Sequence, residues 1–289
     1  LDPAVAALAP GHARSLRVLL DAETPTPLTV CLASSQPSVA APASATVTVP
    51  AGATETELEV QGVAAAAGPA VIRAWRAATG AACGAPPGAA VKAHIAVTDD
   101  RIASAGDLLF NEVLSDPPGV EGADIDGDAS CDGLRDSDDD EFIELVNVTD
   151  EVLDLSGVRV RDKLPAEVER HVFAAGTRLA PGEAILLYGA PVGSASSPWC
   201  AALAGVQVVS ASGGTGLHLN NAGDTVTLLD AGGAVIGTFQ YSALVGAHDQ
   251  SLTRDPDLGA DVVLYGFADD HMADRAFSPG THNDGSSFE

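Results

Sequence analysis

Residues 140–160 read DEFIELVNVTDEVLDLSGVRV. Within them, "EFIELVNV" (141–148) and "VRVRD" (158–162) have the length and β-branched, apolar content of short strands. The same signal recurs outward in both directions. Upstream lies "LLFNEVL" (108–114). Downstream lie "HVF" (171–173), "AILLYG" (184–189), "VQVV" (206–209), "LHLN" (217–220), "DTVTLLD" (224–230) and "AVIGTFQY" (234–241). Turn signals separate them, among them "LAPGEA" (179–184) and the hairpin signal "DAGG" (230–233). No long amphipathic helix breaks the series. One short helix is expected in "SSPWCAALAG" (196–205), with Ser197 as cap, Pro198 at its first position and Gly205 at its end.

The first hundred residues read the same way. Their strand candidates are "SLRVLL" (15–20), "LTVCLAS" (28–34), "ATVTV" (45–49), "TELEV" (56–60), "AVIRAW" (70–75) and "AVKAHIAV" (90–97). Apolar residues alternate in "TVTV" and "TELEV", which puts one face on a core. Many short strands at this spacing indicate a β-sandwich. The small, polar stretch "TDDRIASAG" (98–106) reads as a linker. The fold class expected is therefore all-β, with two sandwich domains in tandem: 1–97, the linker 98–106, and 107–289.

The chain has 289 residues and a net charge of −26 at pH 7. Phosphate backbones and anionic membrane surfaces would repel it, so neither nucleic acid nor a lipid surface is an expected partner. No apolar run is long enough to span a bilayer, so no membrane insertion is expected. Acidity instead suits divalent cations and basic partners. The opening "LDPAVAALAPG" has no initiator Met, which fits a removed leader or a trimmed start.

The four cysteines, Cys31, Cys83, Cys131 and Cys200, form no CxxC pair, which argues against a thiolate zinc site. Four cysteines allow three pairings. A split near residue 100 leaves two in each half, favouring Cys31–Cys83 and Cys131–Cys200. It also favours an oxidising compartment, so a secreted or cell-surface location.

Two resemblances sharpen this reading. The phrases "LTVCLASSQPSVAAPASATVTVPAGATETELEV" and "AGPAVIRA" resemble bacterial Ig-like repeats. The ordered series "NEVLSDPP", "DEFIELVNVTDEVLDLSGVRV", "HVFAAGTRLAPGEAILLYG" and "LNNAGDTVTLLDAGGAVIGTFQY" resembles a lamin-tail domain over residues 107–242, and the ending "SLTRDPD…FSPGTHNDGSSF" fits bacterial members. The resemblance implies an Ig-like sandwich that serves as an accessory module of an exported bacterial protein. Val158 departs from it, since members commonly have Trp after the "LSG" turn.

The acidic insert "DIDGDASCDGLRDSDDDEFIE" (124–144) carries the chemistry. Calcium takes six to eight oxygen ligands, and loops supply them at positions 1, 3, 5, 7, 9 and 12 with Gly at 6. Counted from Asp128, these positions hold Asp128, Ser130, Asp132, the Leu134 carbonyl, Asp136 and Asp139, with Gly133 at 6. The pattern resembles thrombospondin type-3 calcium repeats. Asp124 and Asp126 begin an overlapping frame, but it meets Ala129 at position 6 and Arg135 at 12. Whether this lead-in adds a second ion stays open. A plain charge run would be solvated. The ligand period, the turn glycine and Cys131 inside the loop favour a folded Ca2+ site within 124–141.

Elsewhere the histidines show no zinc spacing, and "ADDHMAD" (268–274) reads as a polar surface loop. "SGGTG" (212–216) lacks the Lys of a phosphate loop, and no nucleophile motif occurs. The expectation is a non-catalytic, calcium-binding interaction or scaffolding module whose partner is another protein or a cell-surface component. The competing classes are a calcium-dependent hydrolase and an adhesin with a calcium-ordered binding loop.

Overall fold

The computed structural model describes residues 1–78, 82–119, 127–163, 167–194, 199–212, 216–242 and 249–288. It is all-β, built from stacked sheets. In the N-terminal stack, strands Val5–Leu8 (β1), Leu28–Ser34 (β3), Thr46–Val49 (β5), Ala70–Arg76 (β7) and Val91–Val97 (β8) form a sheet of order β1-β8-β7-β3-β5. Strands Ala13–Leu19 (β2), Ala40–Pro42 (β4) and Glu55–Gly62 (β6) form the facing sheet, of order β2-β6-β4. The alternation read from "TELEV" is real: Leu58 and Val60 are buried while Glu57 and Glu59 are exposed. They meet Leu16, Val30, Ile72 and Ile95 in one core. Cys31 is bonded to Cys83, the pairing favoured from the sequence.

The C-terminal stack packs a six-stranded sheet on a four-stranded one. The larger contains Leu108–Leu114 (β10), Phe142–Asn147 (β11), Ala184–Tyr188 (β16), Gln207–Ser210 (β17), Leu252–Asp255 (β20) and Asp261–Leu264 (β21), in the order β17-β16-β11-β10-β20-β21. The smaller contains Arg159–Asp162 (β13), Val168–Val172 (β14), Gly223–Leu229 (β18) and Val235–Ser242 (β19), in the order β14-β13-β18-β19. Short strands Arg101–Ile102 (β9), Leu153–Asp154 (β12) and Arg178–Leu179 (β15) close one end. Val113, Ile143, Leu145, Ile185 and Leu187 face the four-stranded sheet and fill the main core with Val160, Val226 and Phe239.

The opposite face of the six-stranded sheet is covered as well. Leu114, Phe142, Leu186 and Tyr188 project there, against Ala129, Cys131, Trp199, Leu203 and Phe277. Every residue of β11 and β16 is buried. A strand buried on both sides reads as a continuous apolar run rather than an alternating one, which is why "FIELV" and "AILLY" do.

Three expectations meet differences. The helix expected over 196–205 is a single 3-10 turn, Ala202–Gly205, preceded by Ala201 with no side-chain cap; Ser197 and Pro198 lie outside the described residues. "LHLN" (217–220) is not a strand. The Leu219 N–H donates to the Glu141 carboxylate, so a side chain replaces the ladder there, and His218 has φ 51°. The β20–β21 hairpin was not foreseen. Its turn, Asp255-Pro256-Asp257-Leu258-Gly259, has the composition that announces one.

The two stacks touch. β9, inside the stretch read as a linker, pairs parallel with β12. Arg178 pairs with Asp100 at 2.6 Å. Ala231 packs into the N-terminal core. Gly157, at φ +77°, lies so close to the Val5 carbonyl that a Cβ would sit 2.2 Å from its oxygen.

Candidate functional site

The acidic insert is a folded loop across its described part. Gly133 makes the sharp turn at φ +97°, a conformation that favours glycine. The Asp128 carboxylate accepts from the Asp132 and Gly133 amides, each at 3.0 Å. Asp132 accepts from Leu134 at 2.8 Å. Asp136 accepts from Asp138 and Asp139 at 2.9 and 3.1 Å. Asp140 closes the loop by accepting from Ser130 at 2.8 Å and Asp136 at 2.7 Å.

The loop is fastened to the sheet face. Cys131 is bonded to Cys200. The Trp199 indole N–H donates to the Asp128 carbonyl at 2.8 Å. Gly193 donates to the Ser130 carbonyl at 2.8 Å, and a Cβ on Gly193 would stand 2.2 Å from the Cys131 oxygen. Arg135, the residue that spoils the overlapping frame, is buried and donates to the carbonyls of Pro117 and Pro118.

Of the sequence-predicted ligands, Asp128 and Ser130 are buried, while Asp132 and Leu134 are exposed and Asp136 and Asp139 half-buried. Asp124 and Asp126 lie outside the described residues. Among the described residues, no three Asp, Glu, His or Cys side chains converge closely enough to hold a metal ion. The electrostatics nonetheless set these acids beside one another. Burial raises the Asp139 pKa, and the charges of Asp136, Asp132 and Asp138 raise it further. Burial likewise raises Asp128, against the amides that pull it down, and pushes Asp140 up to about 6. Each carboxylate oxygen that accepts a single amide keeps a lone pair, so the donors are of the oxygen kind a hard cation takes, but among the described residues they do not converge on one point.

The sequence reading missed a second group of acids under the same cover. Glu112 and Glu144 are cross-strand partners on β10 and β11, and both are fully buried. Glu112 accepts from the Ser251 hydroxyl at 2.5 Å and from the Ser278 amide and hydroxyl at 2.9 and 2.8 Å. Glu144 accepts from the Gly280 amide at 2.7 Å and from Asn111 at 2.9 Å. The register shifts between Phe110 and Glu112, so Asn111 sits at a bulge beside Glu144. Burial pushes Glu112 up to about 7, against its three donors. Burial and the Glu112 charge raise Glu144 well above the usual range, and burial does the same to Glu141. The signal was present in the sequence: an acid inside each apolar run, "FNEVL" and "FIELV".

In the "ADDHMAD" stretch, Asp269 and Asp270 are exposed, His271 contacts its own loop at the Ala268 carbonyl, and Asn283 donates to Asp270 at 3.2 Å.

Residues 101–243 match the family model described as Lamin Tail Domain. The chain carries a lamin tail domain. No curated protein matches the chain. Among solved structures, the E. coli chaperone DraB is 11% identical, with 82% of this chain and 94% of that one covered and a TM-score of 0.33. The Pseudomonas aeruginosa CupB2 chaperone is 10% identical, with 82% and 96% covered and a TM-score of 0.32. SSP-19, an MSP-domain-like family member of Caenorhabditis elegans, is 16% identical, with 33% and 95% covered and a TM-score of 0.25. Likenesses this slight assign nothing to the chain. The lamin tail match holds the acidic loop, Glu112 and Glu144. Ser251, Ser278 and Gly280, which donate to the two glutamates, come from beyond it.

Proposed function

We propose that this protein is a non-catalytic interaction module of an exported bacterial surface protein, in which calcium orders the 128–139 loop of the lamin tail domain. The module comprises two Ig-like domains, 1–97 and 107–289, joined through 98–106. One observation carries the reading: the acidic loop is a folded layer, tied down by a disulfide and an indole hydrogen bond, in which burial and neighbouring aspartate charge raise the pKa of Asp128 and Asp139. Asp128, Ser130, Asp132, Leu134, Asp136 and Asp139 would hold the ion, and Asp124 and Asp126 would extend the site. Bound calcium would supply the positive charge these side chains lack.

The role follows from where the loop sits. It covers the outer face of the six-stranded sheet beside the C-terminal segment. Fixing the loop fixes the surface that a protein or cell-surface partner meets. Lamin tail domains are not themselves catalytic, which supports an interaction role. Two disulfides support an oxidising, extracytoplasmic location. No helix of the described residues is long and apolar enough to cross a membrane.

The test is a thermal melt of the whole chain in calcium and in chelator. A ligand that binds only the folded state stabilises by about 2.7 kcal/mol at roughly a hundred times its Kd. Calcium should raise Tm, and Asp128→Asn with Asp139→Asn should remove most of the rise. Superimposable melts with and without chelator would overturn the calcium reading.

A further inference from the structure

The chain's few cations are not spread evenly. It has 14 Lys and Arg against 40 Asp and Glu, yet four arginines line a single cavity of about 380 Å3 between the two stacks. Arg14 and Arg17 come from β2, and Arg159 and Arg161 from β13. The floor is the β18–β19 turn, Ala231-Gly232-Gly233.

The four are not equally engaged. Arg17 is occupied, held by Asp2 and by Glu55. Arg14 leaves β2 on its core-facing side and reaches the turn, where its Nη2 lies 3.1 Å from where a Gly232 Cβ would stand. Arg159 reaches the same turn, with its Nη2 3.3 Å from the corresponding Gly233 position and 3.4 Å from the Asp230 carbonyl. Its Nε is buried without a hydrogen-bond partner, and its contact with Glu169 is a loose 3.7 Å. Arg161 leaves the same face of β13 and makes no hydrogen bond or ion pair with a described residue. Two guanidiniums therefore meet over one turn, where a third has unused donors.

The acids nearby do not complete these donors. Asp230 spends Oδ1 on the amides of Gly232 and Ala234. Burial lowers the Arg14 pKa, Asp230 raises it, and Arg159 lowers it again. Glu57 lines the cavity, and Asp2 is held by Arg17. Like charges held together with free N–H groups are stabilised by an anion that accepts from several at once, and guanidinium forks match oxyanions in geometry.

We propose that the cleft between Arg14, Arg159 and Arg161 is a binding site for a small oxyanion, such as a phosphate or a sugar carboxylate. The Gly232-Gly233 turn lets the guanidiniums approach, because a side chain at either position would meet an arginine nitrogen. The site joins the two stacks, so occupancy would fix their relative placement. Long-range repulsion from a chain of charge −26 makes binding weak and local rather than steered.

The experiment is titration of the whole chain, free of calcium, with inorganic phosphate and separately with glucuronate, each against chloride at matched ionic strength. The readout is the amide resonances of Gly232 and Gly233. A saturable shift at these glycines with either probe is the expected result, and which probe binds tighter tells a tetrahedral anion from a carboxylate. Arg14→Gln with Arg161→Gln should weaken it at least about tenfold, the loss of charge-assisted hydrogen bonds. Arg76→Gln, which removes one charge elsewhere, should leave it unchanged. If the double variant is unfolded, Arg161→Gln alone is used, since that side chain has no partner to lose among the described residues. No localised shift by about 50 mM of either probe, where chloride has screened non-specific attraction, overturns the proposal. So does a variant that binds like the wild type.

Discussion

Glu112 should make this protein less stable as pH rises through neutrality, and Glu112→Gln should remove that part of the dependence. Glu112 is fully buried, and burial moves it from 4.5 to about 7. A carboxyl whose folded pKa is raised binds its proton more tightly when folded. Its stabilising contribution is complete below the unfolded value of 4.5 and is lost as pH climbs through about 7. At about 1.4 kcal/mol per pH unit, the loss comes to about 3 kcal/mol between pH 4.5 and 8. For a chain of this size that is roughly 5–10 °C in Tm. Of the groups that face it, the Ser251 and Ser278 donors pull its pKa down, and the neighbouring charge pushes it up. Glu144 opposes it across the strand pair, Asp257 adds negative charge from the β20–β21 turn, and the Tyr188 and Tyr265 hydroxyls are themselves pushed up beside it.

Glutamine keeps the shape without the charge. Its carbonyl can accept from the Ser278 amide, and its NH2 can donate to the Ser251 or Ser278 hydroxyl, since a hydroxyl also accepts. The assay is urea unfolding at pH 5, 6, 7 and 8 in calcium-free buffer, with wild type and variant compared at each pH. The variant should gain on the wild type as pH rises, and at pH 8 protection of the 276–281 amides from hydrogen exchange should also be higher. Parallel pH profiles for the two proteins would refute the reasoning, because the other raised acids are common to both.

The remaining predictions concern packing and the loop's attachment. Replacing Cys131 and Cys200 by Ser opens a link across 69 residues, for which chain entropy suggests a loss of about 4 kcal/mol, read by urea melts. Trp199→Phe removes the indole donor from the Asp128 carbonyl and should cost about 1 kcal/mol, with the Cys131–Cys200 link still formed by thiol assay. Leu145→Ala empties a fully buried site in the main core and should cost about 2–5 kcal/mol. Val158→Trp, which introduces the residue common in related domains, should destabilise by about 1–3 kcal/mol or more, because Val158 is 2% exposed in a filled core.

What the sequence made legible follows from what each stretch repeats. Strands with one solvent face announce themselves by alternation, and β6 matches the reading of "TELEV" closely. The sandwich, its hairpin at 230–233 and both disulfides were legible because turn residues and cysteine number are local or countable. The covered face was not. A strand buried on both sides loses its alternation, so nothing in "FIELV" says which residues face the main core and which face the loop. The donors to Glu112, Ser251 and Ser278, and the Gly280 amide that reaches Glu144 lie more than a hundred residues away in sequence; only Asn111, the other donor to Glu144, is nearer. The spacing of the acidic loop reads as a ligand series, while the structure shows its carboxylates accepting from the loop's own amides. Those two descriptions are compatible, since an aspartate that orients its loop through one lone pair can offer another to an ion. What the spacing could not reveal is that Arg135 would turn inward to the Pro117 and Pro118 carbonyls. An acid inside an apolar run is thus the more informative sign here: a desolvated carboxylate needs donors, a cation or a proton, and each leaves a mark on stability against pH.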